Sequence, residues 1–144
     1  MHTSTALRVV RASAVYDLVA TGGFALPWTA AVAVDLLVRL HGAAGLSGTV
    51  PPADDPLTVL FANLMGAVVV VWSVVRLRRP TLALGAADTV ARALFSLGMV
   101  VALTQGATAI VAAFLVVEVG WFAVQGGAVL AAVRTAAASP TLAA

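Results

Sequence analysis

The side chains able to do chemistry in this 144-residue chain are few: eight arginines, five aspartates, one glutamate, two histidines, one tyrosine and three tryptophans, with no lysine and no cysteine. Several of them stand inside strongly apolar stretches. An ionised side chain at a bilayer centre costs about 2.5 to 3.5 kcal/mol on insertion scales, so each such residue needs a partner or a task. Arg92 and Glu118 fall near the middle of two consecutive apolar stretches, 82–104 and 107–133, and antiparallel spans would bring both to the midplane. Asp88 precedes Arg92 at the i, i+4 spacing that lets a carboxylate meet a guanidinium. Asp17 shares a helical face with Ser13, Thr21, Phe24 and Trp28. Burial favours a neutral acid and a neighbouring arginine favours a carboxylate, so such a set can divide into a proton donor and a base. Asp17, Asp88, Arg92 and Glu118 are therefore the candidate acid/base residues.

Around them, Tyr16, Trp28, Asn63, Trp121 and Gln125 are the candidate ligand-binding residues. Tyr16 and Asn63 are suited to orienting water or a substrate oxygen, and Trp28 and Trp121 lie deep enough to line a cavity. Trp72, near a charged flank, reads instead as an interfacial anchor. Each group also has a structural reading. The ions would lock helices together, and Asn63 and Gln125 would act as interhelical hydrogen-bond glue worth about 0.6 to 2 kcal/mol. Asp35 with Arg39 at i+4 reads as an interfacial ion pair.

The elements that must hold these residues are membrane spans. Mean hydropathy is +1.07 and only 10% of residues are charged, against about a quarter in a soluble domain. Four stretches of about 20 apolar residues fit the chain with no room for a second domain. They are 12–40, with Pro27 marking a kink, 57–76, 82–104 and 107–133. Residues 41–56, with three prolines and three glycines, form the one long connection, and 135–144 form a flexible tail. Short connections force antiparallel neighbours, so the fold expected is an all-α integral membrane protein, an antiparallel four-helix transmembrane bundle. Arg8, Arg11, Arg76, Arg78, Arg79 and Arg134 gather on one side against Arg39 on the other, which places both termini in the cytoplasm. Arg8 and Arg11 followed by Ala31-Val32-Ala33 would also suit a cleaved signal peptide, but Asp17 inside the apolar stretch favours a retained span.

The inventory excludes much. Without cysteine there is no disulfide, thiolate metal site or thiol chemistry. His2 and His41 lie at a terminus and in a loop, so no metal and no cofactor is expected. No nucleotide-binding or hydrolase motif is present. The eight arginines form no basic run with interleaved aromatics, so nucleic acid is not a partner.

The set of two acids bridged by an arginine, with a tyrosine and an asparagine, is similar in residue types to that of limonene-type epoxide hydrolases, with no shared motif. It implies isomerisation, cyclisation or epoxide opening on a lipophilic substrate. An embedded acid on the first of four spans is similar to the architecture of small multidrug exporters, which implies proton-coupled transport. A noncatalytic membrane subunit or assembly factor is the third reading. The expected partners are the lipid bilayer and a lipophilic small molecule, with a homodimer or larger membrane complex left open, and the expected location is the cell membrane, as a multi-pass protein of a bacterial inner membrane.

Overall fold

The computed structural model describes residues 2–138. Among these residues the chain forms five helices and no strand, only an isolated bridge between Thr49 and Ala107. The helices are α1 (His2–Thr21), α2 (Pro27–Ala43), α3 (Pro56–Arg78), α4 (Leu82–Thr104) and α5 (Ile110–Ala138), with a 3-10 turn at Gly22–Phe24. Helices α3, α4 and α5 are each long and apolar enough to cross a membrane, with only 11, 11 and 6% of their apolar windows buried inside the protein. The large apolar side chains therefore face outward, while the buried apolar set is mostly alanine and valine. The interior instead holds Ser13, Asp17, Ser73, Arg76, Asp88, Arg92, Thr108 and Gln125. An exterior more apolar than the interior is the pattern of a multi-pass membrane protein, because lipid replaces water as the solvent of the surface.

The first apolar stretch differs from a single kinked span over 12–40. It begins at His2 and is broken into α1 and α2, which meet at 95°. The cause is local and tertiary together. Pro27 has no N–H and sits at the first position of α2, and it holds Leu26 extended, at φ −118° and ψ 144°. Gly22 and Gly23 add no side-chain barrier to the turn. Asn63 of α3 then donates to the Phe24 carbonyl at 3.0 Å, satisfying a backbone group that the break sets free.

Gly66 lets α3 back onto this break. A Cβ there would stand 2.5 Å from the carbonyl carbon of Phe24, so Gly66→Ala is expected to destabilise the protein by about 1 to 3 kcal/mol despite its better helix propensity. Gly120, which has open space around it, supplies the control: Gly120→Ala should leave the thermal unfolding midpoint in detergent unchanged or raised. Equal midpoints for the two variants would mean that α3 does not rest on the break.

The remaining ends are capped conventionally. Asp55 Oδ2 accepts from the Thr58 N–H at 2.8 Å and from its hydroxyl at 2.7 Å, and these bonds hold the half-buried Asp55 carboxyl below the usual carboxylate range. Thr81 Oγ1 accepts from Leu84 N–H at the start of α4. The connection between α2 and α3 clasps the α4–α5 turn: Thr49 donates to Gly106 and Thr108 donates to Thr49, both at 2.8 Å. Helix α5 continues through Ala138, so the tail expected over 135–144 is helical at its start, and 139–144 lie outside the described residues.

Candidate functional site

Five charged side chains from four helices meet between α1, α3, α4 and α5. Arg92 is the hub: its Nη1 reaches Glu118 Oε2 at 2.5 Å, its Nη2 reaches Asp17 Oδ2 at 2.8 Å, and its Nε reaches Asp88 Oδ2 at 3.1 Å. Arg76 closes the network from α3, with Nη2 at 2.5 Å from Asp17 Oδ2 and Nη1 at 2.7 Å from Asp88 Oδ2. Neutral donors complete the shell. Trp72 Nε1 donates to Asp88 Oδ1 at 2.8 Å, Gln125 Nε2 donates to Asp88 Oδ2 at 2.9 Å, and Ser13 donates to Gln125 Oε1 at 2.5 Å. The guanidinium carbons of Arg76 and Arg92 lie 5.9 and 6.0 Å from the ring centres of Trp72 and Trp121, which adds cation–π attraction.

Local sequence rules explain how each helix contributes. Ser13 and Asp17, and Asp88 and Arg92, are i, i+4 pairs on single faces of α1 and α4. Trp72, Ser73 and Arg76 share one face of α3 at i, i+1 and i+4. Gly85 permits the approach of neighbouring helices: a Cβ there would stand 2.7 Å from Val10 and 3.0 Å from Val129. Burial is nearly complete, with Arg76 at 0% and Arg92 at 2% exposure. Charges so buried are tolerable only when paired, and every charged group of the network has at least one opposite charge in contact.

The pairing has two openings. Three carboxyl groups face two guanidinium groups, so the fully ionised cluster carries a net charge of −1. Among the described residues, Glu118 Oε1 and the Tyr16 hydroxyl have no hydrogen-bond partner. Both residues line a cleft of about 860 Å³. Its walls run along α4 from Asp88 to Ala102, about 21 Å at 1.5 Å per residue, and are otherwise apolar. The backbones of α3 and α4, though consecutive, stay apart, joined by the bonds of Trp72 and Arg76 to Asp88, and the cleft lies between them. Val68 of α3 and Leu94 of α4 line it while remaining 67 and 62% exposed, so its mouth is on the apolar outer surface. The volume is that of a pocket for a small organic molecule.

The structure thus brings Asp17, Asp88, Arg92, Glu118 and Gln125 into one cluster, with Tyr16 and Trp121 beside it, their rings 5.8 Å apart. It places two expected ligand residues elsewhere. Trp28 lies beyond the break, 69% exposed, because the face it shares with Asp17 exists only in an unbroken helix. Asn63 is committed to the Phe24 carbonyl. Asp35 and Arg39 pair at 2.7 Å on the surface, as their spacing predicts. His41 lies in the last turn of α2 rather than in a loop, its Nδ1 2.8 Å from Thr108 Oγ1.

Two members of the cluster were not expected from the sequence. Arg76 reads there as one of a basic flank, and Trp72 as an interfacial anchor. The signal that sets them apart is the polar stripe Trp72, Ser73 and Arg76, all on the face of α3 that turns inward. Among the described residues no group of three His, Asp or Glu side chains is arranged to hold a metal ion, and it is the two arginines that occupy the space between the acids. No known protein family, curated protein or solved structure matches the chain.

Proposed function

We propose that the cleft and its charged floor form a binding site for a lipophilic small molecule, at which Glu118 exchanges a proton with the bound molecule. The observation that supports this reading most is the meeting of an apolar cleft of about 860 Å³ with the one carboxyl oxygen of the cluster that has no partner. A purely structural ion network explains less. Buried ion pairs are often no more stabilising than apolar residues of the same volume, so five charges held at the wall of an apolar cleft call for a task.

In this reading Asp17 and Asp88 are each held by both arginines. Glu118, with Arg92 alone, is the carboxyl free to give or take a proton. Tyr16 orients the reacting group. Isomerisation, cyclisation and epoxide opening suit this set, because they need a proton donor and acceptor and, for epoxide opening, water, but no redox partner. The chain is then an antiparallel four-span protein of a bacterial cytoplasmic membrane, with α1 and α2 as one broken span. Arg8, Arg11, Arg78, Arg79 and Arg134 mark the cytoplasmic side, both termini lie there, and the cluster sits in the cytoplasmic half. The broken span also favours a second reading, proton-coupled transport, since interrupted helices bind substrate in transporters.

Gly98 gives a clean test. It lines the cleft, and a Cβ added there meets nothing within 4 Å, so Gly98→Phe is expected to place its ring in the cleft with no clash at the backbone. Wild type purified in mild detergent is expected to carry a lipophilic molecule visible by native mass spectrometry, and folded Gly98→Phe to lose it. A wild type that carries and binds no lipophile, or a Gly98→Phe variant that binds as well as wild type, would defeat the reading. In a turnover assay Glu118→Gln should abolish reaction in a protein that remains folded.

A further inference from the structure

The ligand's polar end follows from which groups the cluster leaves unsatisfied. Each of the three nitrogens of Arg92 is bound to a carboxylate, and the two Nη atoms of Arg76 are bound to Asp17, Asp88, Ser13 and Ser73. Arg76 Nε is unpartnered, but Arg76 does not line the cleft. An anion entering the cleft would therefore meet guanidinium nitrogens already bound to carboxylates. What the cleft presents is Glu118 Oε1 and the Tyr16 hydroxyl, backed by a cluster with three acids to two arginines. Asp17, Tyr16, Arg76, Asp88, Arg92 and Glu118 are all the charged or titratable groups of α1, α3, α4 and α5 that face this point, and α2 contributes none.

From this imbalance we infer that the molecule taken by the cleft is a lipophilic amine, its ammonium seated between Glu118 and Tyr16 and its apolar body along α4 toward Met99 and Ala102. The inference rests on the reading of the cleft as a lipophile site and adds the class of head group. A cation supplies the charge that the cluster lacks, in surroundings where water screens little. Its N–H groups also fill the acceptors that the cluster leaves open. A fatty acid or anionic lipid would add a second uncompensated negative charge. A neutral alcohol would fill the hydrogen bonds and leave the charge.

Three probes with one dodecyl chain separate these cases: dodecylamine, dodecanol and dodecanoate. Each is titrated calorimetrically, below its micellar concentration, into the protein in phosphatidylcholine nanodiscs, with empty nanodiscs as baseline. The amine is expected to bind wild type at least tenfold more tightly than the alcohol, and dodecanoate no more than the baseline. In Glu118→Gln the amine should lose at least tenfold and the alcohol stay within about twofold, since the amide removes the surplus charge and keeps an acceptor. Equal binding of amine and alcohol in wild type, or preference for dodecanoate, overturns the amine assignment without needing any variant. If that equal binding is lost in Gly98→Phe, the lipophile site itself stands. Binding of none of the three above the baseline defeats the amine assignment, and an empty wild type by native mass spectrometry defeats the site with it.

Discussion

Arg92→Met is expected to lower stability by about 3 to 5 kcal/mol, one of the two largest losses in the chain, because it leaves buried carboxylates without their shared partner. Methionine keeps the length and the apolar stem of the side chain, so little packing is lost. The charge change is severe: Asp17, Asp88 and Glu118 would face Arg76 alone, at a net charge of −2 in the interior. The readout is the unfolding midpoint in mild detergent, compared at one detergent concentration. Arg92→Lys should recover only part of the loss. An ammonium keeps the charge, but it lacks the planar fork that lets one side chain serve carboxylates of α1, α4 and α5 at once. Adding Glu118→Gln to Arg92→Met should also recover part, since it removes one of the stranded charges. Coupling of about 0.5 to 3 kcal/mol between the two sites is the expected size. A midpoint for Arg92→Met within about 0.5 kcal/mol of wild type would mean that water reaches the cluster and screens it.

The parts of this cluster that the sequence makes legible are those fixed within one helix or by depth in the membrane. Asp88 and Arg92 are neighbours because a helix makes i and i+4 neighbours, whatever surrounds it. Glu118 meets Arg92 because both stand midway along consecutive apolar stretches, and Gln125 follows Glu118 by seven residues on the same face. Trp28 shows where such reasoning stops. Its place on the face of Asp17 assumes that α1 runs on through residue 28, and the register is lost at Gly22–Phe24 and the extended Leu26. Proline and glycine announce a break, but its angle of 95° depends on α3: the Asn63 bond to Phe24 and the close approach at Gly66 span some 40 positions of sequence. The cleft is equally invisible from the sequence, since it arises where the backbones of α3 and α4 stay apart beyond the bonds of Trp72 and Arg76 to Asp88. The sizes of the side chains on either wall do not reveal that gap.

Arg76 is the sharper test of what the fold adds, because Arg78 and Arg79 stand beside it in the same basic segment. A count of flanking charges treats the three alike, as determinants of orientation. The structure divides them. Arg76 is wholly buried and paired to Asp17 and Asp88, whereas among the described residues Arg78 and Arg79 take part in no ion pair. Arg76→Leu is therefore expected to cost about 3 to 5 kcal/mol, the loss that follows when one partner leaves a buried ion pair. Arg78→Leu and Arg79→Leu should each stay within about 0.5 kcal/mol, as substitutions outside any network do. The same variants separate stability from orientation. Removing Arg78 and Arg79 together weakens the positive flank and should increase the fraction of chains inserted the wrong way, read by the accessibility of a cysteine introduced in the 44–55 connection, which is unambiguous because the chain has none of its own. Arg76→Leu should leave that fraction unchanged while lowering the unfolding midpoint. If Arg76→Leu instead altered insertion and spared stability, Arg76 would belong to the flank, and the cluster would have to hold three carboxyl groups around Arg92 alone.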